Sequence, residues 1–231
     1  MPDAATTHPA APGPDAQAGH APQLKHHFED LHQQREAATL GMWVFLATEL
    51  LFFGGLFAAY LIYRIWYPST FGEASRQLHL ALGATNTAVL ITSSLTMALA
   101  VHASAEGRRG QTVLFLLLTM TLGATFLGIK GAEYYQKYAE HLIPGPYFHS
   151  EGPDPIHAQI FFSLYFALTG LHALHMIIGL GLLMVILILA LRGRFTAAWN
   201  TPVEISGLYW HFVDIIWIFL FPLLYLIDRH A

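Results

Sequence analysis

Five runs of apolar residues, at 39–63, 79–102, 111–135, 157–191 and 205–227, are each long enough to cross a bilayer. About 20 apolar residues suffice for a hydrocarbon core roughly 30 Å thick. Water is absent there, so each run must satisfy its own backbone as an α-helix. The sequence thus predicts an all-α fold, a polytopic membrane bundle of five transmembrane helices. Composition agrees: 55% of the 231 residues are hydrophobic and 11% are charged, against about 25% charged in a typical soluble domain. The fourth run is the longest and must tilt or project beyond the bilayer. Polar or Pro/Gly-containing connections separate the runs: the stretch 68–77, "EGRRG", "IPGPYFHSEGPDP" and "RGRFTAAWNTP". No internal repeat is visible, and five spans do not divide into the equal halves of many transporters.

Residues 1–38 are rich in Ala, Pro, His and Gln and contain no apolar run of signal-peptide length. They are read as a disordered tail with a short helix at 24–36. His26, His27 and His32 are taken as solvated tail residues rather than metal ligands. Lys and Arg are enriched in cytoplasmic loops. On the N-terminal side lie Lys25, Arg35, Arg108, Arg109, Arg192 and Arg194, and opposite them Arg64, Arg76, Lys137 and Arg229. This places the N-terminus inside and the C-terminus outside. The basic residues form no stripe or patch, so no nucleic-acid partner is expected. Without cysteine, disulfides, thiolate metal sites and Cys-linked haem are excluded.

Ionisable groups inside the spans carry the functional question, because each costs roughly 2.5–3.5 kcal/mol at a helix centre. In span five, Glu204 and His211 fall within about 20° of each other on a helix, with Asp214 about 60° further round. Trp210 and Trp217 flank them, and Leu220, Leu223, Leu224 and Ile227 read as the lipid face. Span four has His172 and His175 as an i,i+3 pair, with Tyr165 and Gly179 on the face of His172. These five, His172, His175, Glu204, His211 and Asp214, are read as an interhelical polar network, with His211 and Asp214 holding span five against spans one and four. In span two, Asn86, Ser93 and Ser94 can hydrogen-bond between helices. Lys130 and Glu133 form an i,i+3 ion pair near the outer boundary. Glu49, in "GMWVFLATELLFFGGLF", has no basic residue one turn away, so it takes a partner from elsewhere or stays protonated. Gly54 and Ala58, spaced i,i+4, would allow close helix contact.

Neutral imidazoles suit haem iron, zinc or copper. One i,i+3 His pair offers neither the four ligands of a two-haem cytochrome nor the carboxylate-rich signature of a di-iron site. No metal ligands, Gly-rich phosphate loop or activated nucleophile are assigned, so no catalytic residue is expected in the chain.

Three segments together resemble a known family. "TLGMWVFLATELLFFGGLFAAYLIYR" resembles the helix of haem–copper oxidase subunit III that carries a mid-membrane carboxylate, matched here by Glu49. "GLHALHMIIGLGLL" is similar to its Gly-x-His-x-x-His-x-x-x-Gly helix, with His172 and His175 as the pair. "VEISGLYWHFVDIIWIFLFPLLYL" resembles its closing helix, and the pattern falls on Glu204, Tyr209, Trp210, His211, Phe212, Val213 and Asp214. "GIKGAEYYQKY" fits the end of its middle helix. The resemblance covers about 39–228 and implies the short five-helix form, which lacks the first two helices of the seven-helix form.

It further implies an accessory subunit of a proton-pumping terminal oxidase such as cytochrome c oxidase, in a bacterial cytoplasmic membrane. Haem and copper would lie in partner subunits and none in this chain. The expected partners are oxidase subunit I, other oxidase subunits and structural phospholipid. By the same resemblance, Glu49 matches a carboxylate that reacts with hydrophobic carbodiimides, either stabilising an interface or lipid site or taking part in proton movement. A quinol oxidase, a nitric oxide reductase, a small proton-coupled transporter and a membrane cytochrome b are the alternatives.

Overall fold

The computed structural model describes residues 30–150, 152–196 and 199–226. These form helices α1 (Leu31–Trp66), α2 (Pro68–Arg76), α3 (Leu80–Ala105), α4 (Arg109–Ala139), α5 (Pro155–Leu191) and α6 (Thr201–Phe221), then a π-helical turn at Pro222–Leu226. All but α2 are long and apolar enough to cross a membrane. The chain is a multi-pass membrane protein.

Local chemistry sets the helix ends. Asp30 caps α1 by accepting a hydrogen bond from the Gln33 amide at 2.7 Å. The helix therefore starts at Leu31 and runs on without a break into span one, where the sequence reading begins a span at 39. The expected disordered tail otherwise lies outside the described residues. At 36 and 37 residues, α1 and α5 are each about 55 Å long and overreach the hydrocarbon core. Pro68 ends α1 and occupies the first turn of α2, where its missing N–H is not needed. The stretch 68–77, read as a polar connection, thus folds as a short helix whose Phe71 packs on Tyr60 and Phe161. Gly107, with φ of 71°, ends α3 in a Schellman turn, in which the Arg108 amide donates to the Ala103 carbonyl. The same left-handed turn ends α4 at His141, with φ of 55°.

In the bundle, α6 is central and packs on α1, α3 and α5, while α4 lies against α3 and α5. The helix α1 is peripheral, touching α5, α6 and α2. Leu220 and Leu224 are fully buried, so the expected lipid face of span five is corrected. Ile215, Ile218, Phe219 and Leu226 are its exposed residues, and Ile227 lies outside the described residues. Proline cannot continue the helical ladder; after Pro222 the chain enters a π-helical turn that carries Leu224 and Tyr225 inward. Gly54 and Ala58 also differ from expectation: a methyl group added at Gly54 would meet nothing within 4 Å. Close approaches occur instead at Gly123 and Gly179, both against the indole of Trp210, at Gly83 against Phe221 and at Gly207 against Val101.

Candidate functional site

Glu49 finds its partner on α5. Its Oε2 lies 3.1 Å from His175 Nε2, and His175 Nδ1 lies 2.9 Å from the Leu171 carbonyl. A carbonyl only accepts, so Nδ1 carries a proton. The Glu49–His175 hydrogen bond then requires one further proton between the two groups. It is either a carboxylic acid donating to neutral imidazole or an imidazolium donating to carboxylate, and both forms are net neutral. Phe53 packs on the His175 ring at 5.3 Å, and Tyr209 donates to the His175 carbonyl at 3.0 Å. Glu49 is thus linked to α5, and His175 to α6.

His172 points elsewhere. It is fully buried between Phe126 and Trp217, with ring centroids 5.4 and 5.2 Å away, and neither ring nitrogen has a hydrogen-bond partner among the described residues. Asn86 is buried and unpartnered in the same sense. Glu204 forms a third, separate site at the start of α6, where Arg35 grips both its oxygens at 3.0 and 2.9 Å and the Asn200 amide donates at 3.0 Å. His211 Nδ1 is 2.8 Å from Ser94 Oγ, so it ties span five to span two rather than to spans one and four. Asp214 lines the same α3–α6 cleft beside Ser94, with both carboxyl oxygens buried and neither making a hydrogen bond of good geometry among the described residues. The five residues expected to form one network thus fall in four places, with His211 and Asp214 sharing one cleft.

The pair Lys130 and Glu133 lies wholly inside the bundle. Lys130 Nζ donates to Glu133 Oε2 at 2.8 Å, to Tyr225 at 2.9 Å and to Tyr165 at 3.1 Å, and Tyr225 donates to Glu133 Oε1 at 2.6 Å. The rings of Tyr134, Tyr165, Trp217 and Tyr225 surround the ammonium at 5.1–5.6 Å. Such a cage offsets the desolvation of the charge with hydrogen bonds and cation–π contacts. Sequence reasoning missed Tyr225, whose aromatic ring and hydroxyl, one turn past a helix-ending proline, were the available signal. It also missed Arg35–Glu204, opposite charges at the same end of the first and last spans.

Three histidines facing three different neighbours do not fit a shared metal or a bis-His haem. Among the described residues, no group of three or more His, Asp or Glu could hold a metal ion. A long groove of about 770 Å³ runs between α1 and α6, lined by Trp43, Leu50, Phe57, Leu61, Phe219 and Leu223 among others. A smaller cleft of about 280 Å³ lies between α3 and α6.

A helical membrane subunit, with polar groups that join helices rather than hold a metal, is the class these features define. The family description "cytochrome c oxidase subunit III" matches residues 25–228, and the chain belongs to that family. The chain is 34% identical over 189 residues to a probable cytochrome c oxidase subunit 3 of Nocardia farcinica, covering 82% of this chain and 87% of the relative. It is 31% identical over 207 residues to the cytochrome bo(3) ubiquinol oxidase subunit 3 of Pseudomonas aeruginosa, covering 89% and 92%. To the cytochrome c oxidase subunit 3 of Pelomedusa subrufa it is 34% identical over 194 residues, covering 80% of this chain and 67% of that protein. The chain is an accessory subunit III of a haem–copper oxidase complex, and this family carries no redox cofactor of its own.

Proposed function

We propose that the chain packs against subunit I of a proton-pumping terminal oxidase in a bacterial cytoplasmic membrane, with its N-terminus on the cytoplasmic side. There it preserves the catalytic subunit over many turnovers and supports proton uptake. Haem and copper in the partner subunits supply the oxygen chemistry. The observation that carries this reading is the family match over residues 25–228. The Glu49–His175 contact, which holds one proton within the span, supports a proton-linked or interface role for Glu49. The α1–α6 groove supports a bound phospholipid: its wall is almost wholly apolar, and from Trp43 to Leu61 it runs for about 27 Å, close to the thickness of the hydrocarbon core.

Oxidase prepared with and without this chain provides the test. Removal should leave the initial rate of oxygen consumption largely intact and make activity decay faster during turnover. Equal decay in both preparations would contradict the protective role.

The similarity to a ubiquinol oxidase subunit 3 over 92% of that protein favours a second reading, in which the complex takes electrons from quinol instead of cytochrome c. Oxidase activity assayed with each donor separates the two.

A further inference from the structure

The N-terminal half of α1 makes few buried contacts with the bundle. Of the described side chains from 32 to 50, only Leu46 is buried. Phe45 rests against Tyr209 with ring centroids 6.1 Å apart. Near its start the helix is tied by Arg35 to Glu204, side chains that are 55% and 27% exposed, and ion pairs so exposed contribute little. That leaves the Glu49–His175 contact as the main tie on this half. The C-terminal half is seated differently. Phe53 and Tyr60 are each 1% exposed, and Tyr60 donates to the Leu223 carbonyl at 2.8 Å. Between the halves lie Gly54 and Gly55, where a methyl group added at either would meet nothing within 4 Å. Helices bend at such pairs, because glycine loosens the backbone and no packed neighbour resists. Phe53 adjoins the pair, so a bend there moves it little.

We propose that residues 32–50 form an arm that swings about Gly54–Gly55, and that the proton shared by Glu49 and His175 latches it. With that proton in place the two side chains are hydrogen-bonded. Without it, a carboxylate faces an imidazole lone pair, two acceptors with no hydrogen between them, and the arm is released. Trp43, Leu46, Ala47 and Leu50 on the arm line the α1–α6 groove, so release widens that end of the groove. The neighbouring titratable groups are engaged elsewhere. Tyr209 of α6 spends its hydroxyl on the His175 carbonyl, His172 of α5 lies between Phe126 and Trp217, and His211 across the groove is paired with Ser94. The inference rests on the proton-linked reading of Glu49 and adds the part that moves.

The sequence has no cysteine, so pairs of spin labels can be placed selectively in the full-length chain in lipid nanodiscs. Leu40→Cys with Met184→Cys reports on the arm, and Ile65→Cys with Ile156→Cys on the seated half of α1, all at exposed positions. Raising the pH should lengthen and broaden the arm distance and leave the control distance unchanged. Glu49→Gln, whose amide donates to His175 with no proton to lose, should hold the arm closed at every pH. Glu49→Leu should leave it open at every pH, and Gly54→Ala with Gly55→Ala should narrow the swing. An arm distance unmoved by Glu49→Leu would overturn the latch, and equal movement of both label pairs would overturn the hinge. An arm that opens in Glu49→Leu but ignores pH would instead overturn the proton's part, and with it the proton-linked reading of Glu49.

Discussion

Lys130 shows how a charge is held inside a membrane protein. The ammonium is 3% exposed, and its three donors are taken by Glu133, Tyr165 and Tyr225. Removing one partner of a buried pair strands the other, at about 3–5 kcal/mol, while replacing both by apolar groups of similar volume is often neutral. Lys130→Met alone should therefore destabilise the bundle strongly in a detergent unfolding assay, and Lys130→Met with Glu133→Leu should recover much of the loss. Equal instability of both variants would show that the aromatic packing, not the stranded carboxylate, dominates. For Glu49, carbodiimide labelling should disappear in Glu49→Gln and persist in His175→Leu, if the carboxyl rather than its imidazole partner is what the reagent requires. Loss of labelling in His175→Leu would instead make the imidazole the required proton source. The mid-span carboxylate was legible in the sequence, but its partner was not. Glu49 and His175 are 126 positions apart, and helix periodicity relates only residues a few turns from each other.

At the scale of elements, the spans were legible because bilayer thickness fixes their length, and their packing was not. Glycine contacts illustrate this. The i,i+4 spacing drew attention to Gly54, whereas a Cβ at Gly123 would come within 2.7 Å of Trp210. Close approach depends on where the large partner side chain lands, and spacing within one helix does not contain that. Gly123→Ala should destabilise by about 1–3 kcal/mol through overpacking, and Gly54→Ala should have little effect, both measured by thermal unfolding in detergent. The start of α5 carries a pH-sensitive cap. Asp154 accepts from the His157 amide at 3.3 Å and lies 2.6 Å from its ring. Desolvation raises the Asp154 carboxyl, but the His157 hydrogen bonds and charge outweigh it and leave the group below its ordinary range. A depressed carboxyl contributes stability that is present above its unfolded value, about 4, and is lost as pH falls through the lower folded value. Asp154→Asn should therefore remove part of the acid-induced loss of thermal stability below about pH 4. An unchanged acid limb would contradict the cap's contribution.

At the scale of the whole molecule, the bundle presents apolar grooves along its closing helix. The central α6 is lined by two grooves, one against α1 and one against α3, and His211 contributes to both. That arrangement explains why the closing helix keeps polar residues among tryptophans: the tryptophans are buried within the bundle, and His211 and Asp214 face clefts at its surface. Periodicity put His211 and Asp214 on one side of span five, but it put Leu220 and Leu224 on the lipid face, where the structure buries both, because the burial of a central helix is set by all its neighbours together. The chain belongs to the subunit III family, and the proposed function puts haem in the partner subunits. The most direct measurement is purification of the tagged chain in mild detergent, with reduced-minus-oxidised spectra of the eluate and of the isolated chain. Haem bands in the eluate and none in the isolated chain are the predicted result. A haem spectrum from the isolated chain, or an eluate with neither partner nor haem, would contradict it.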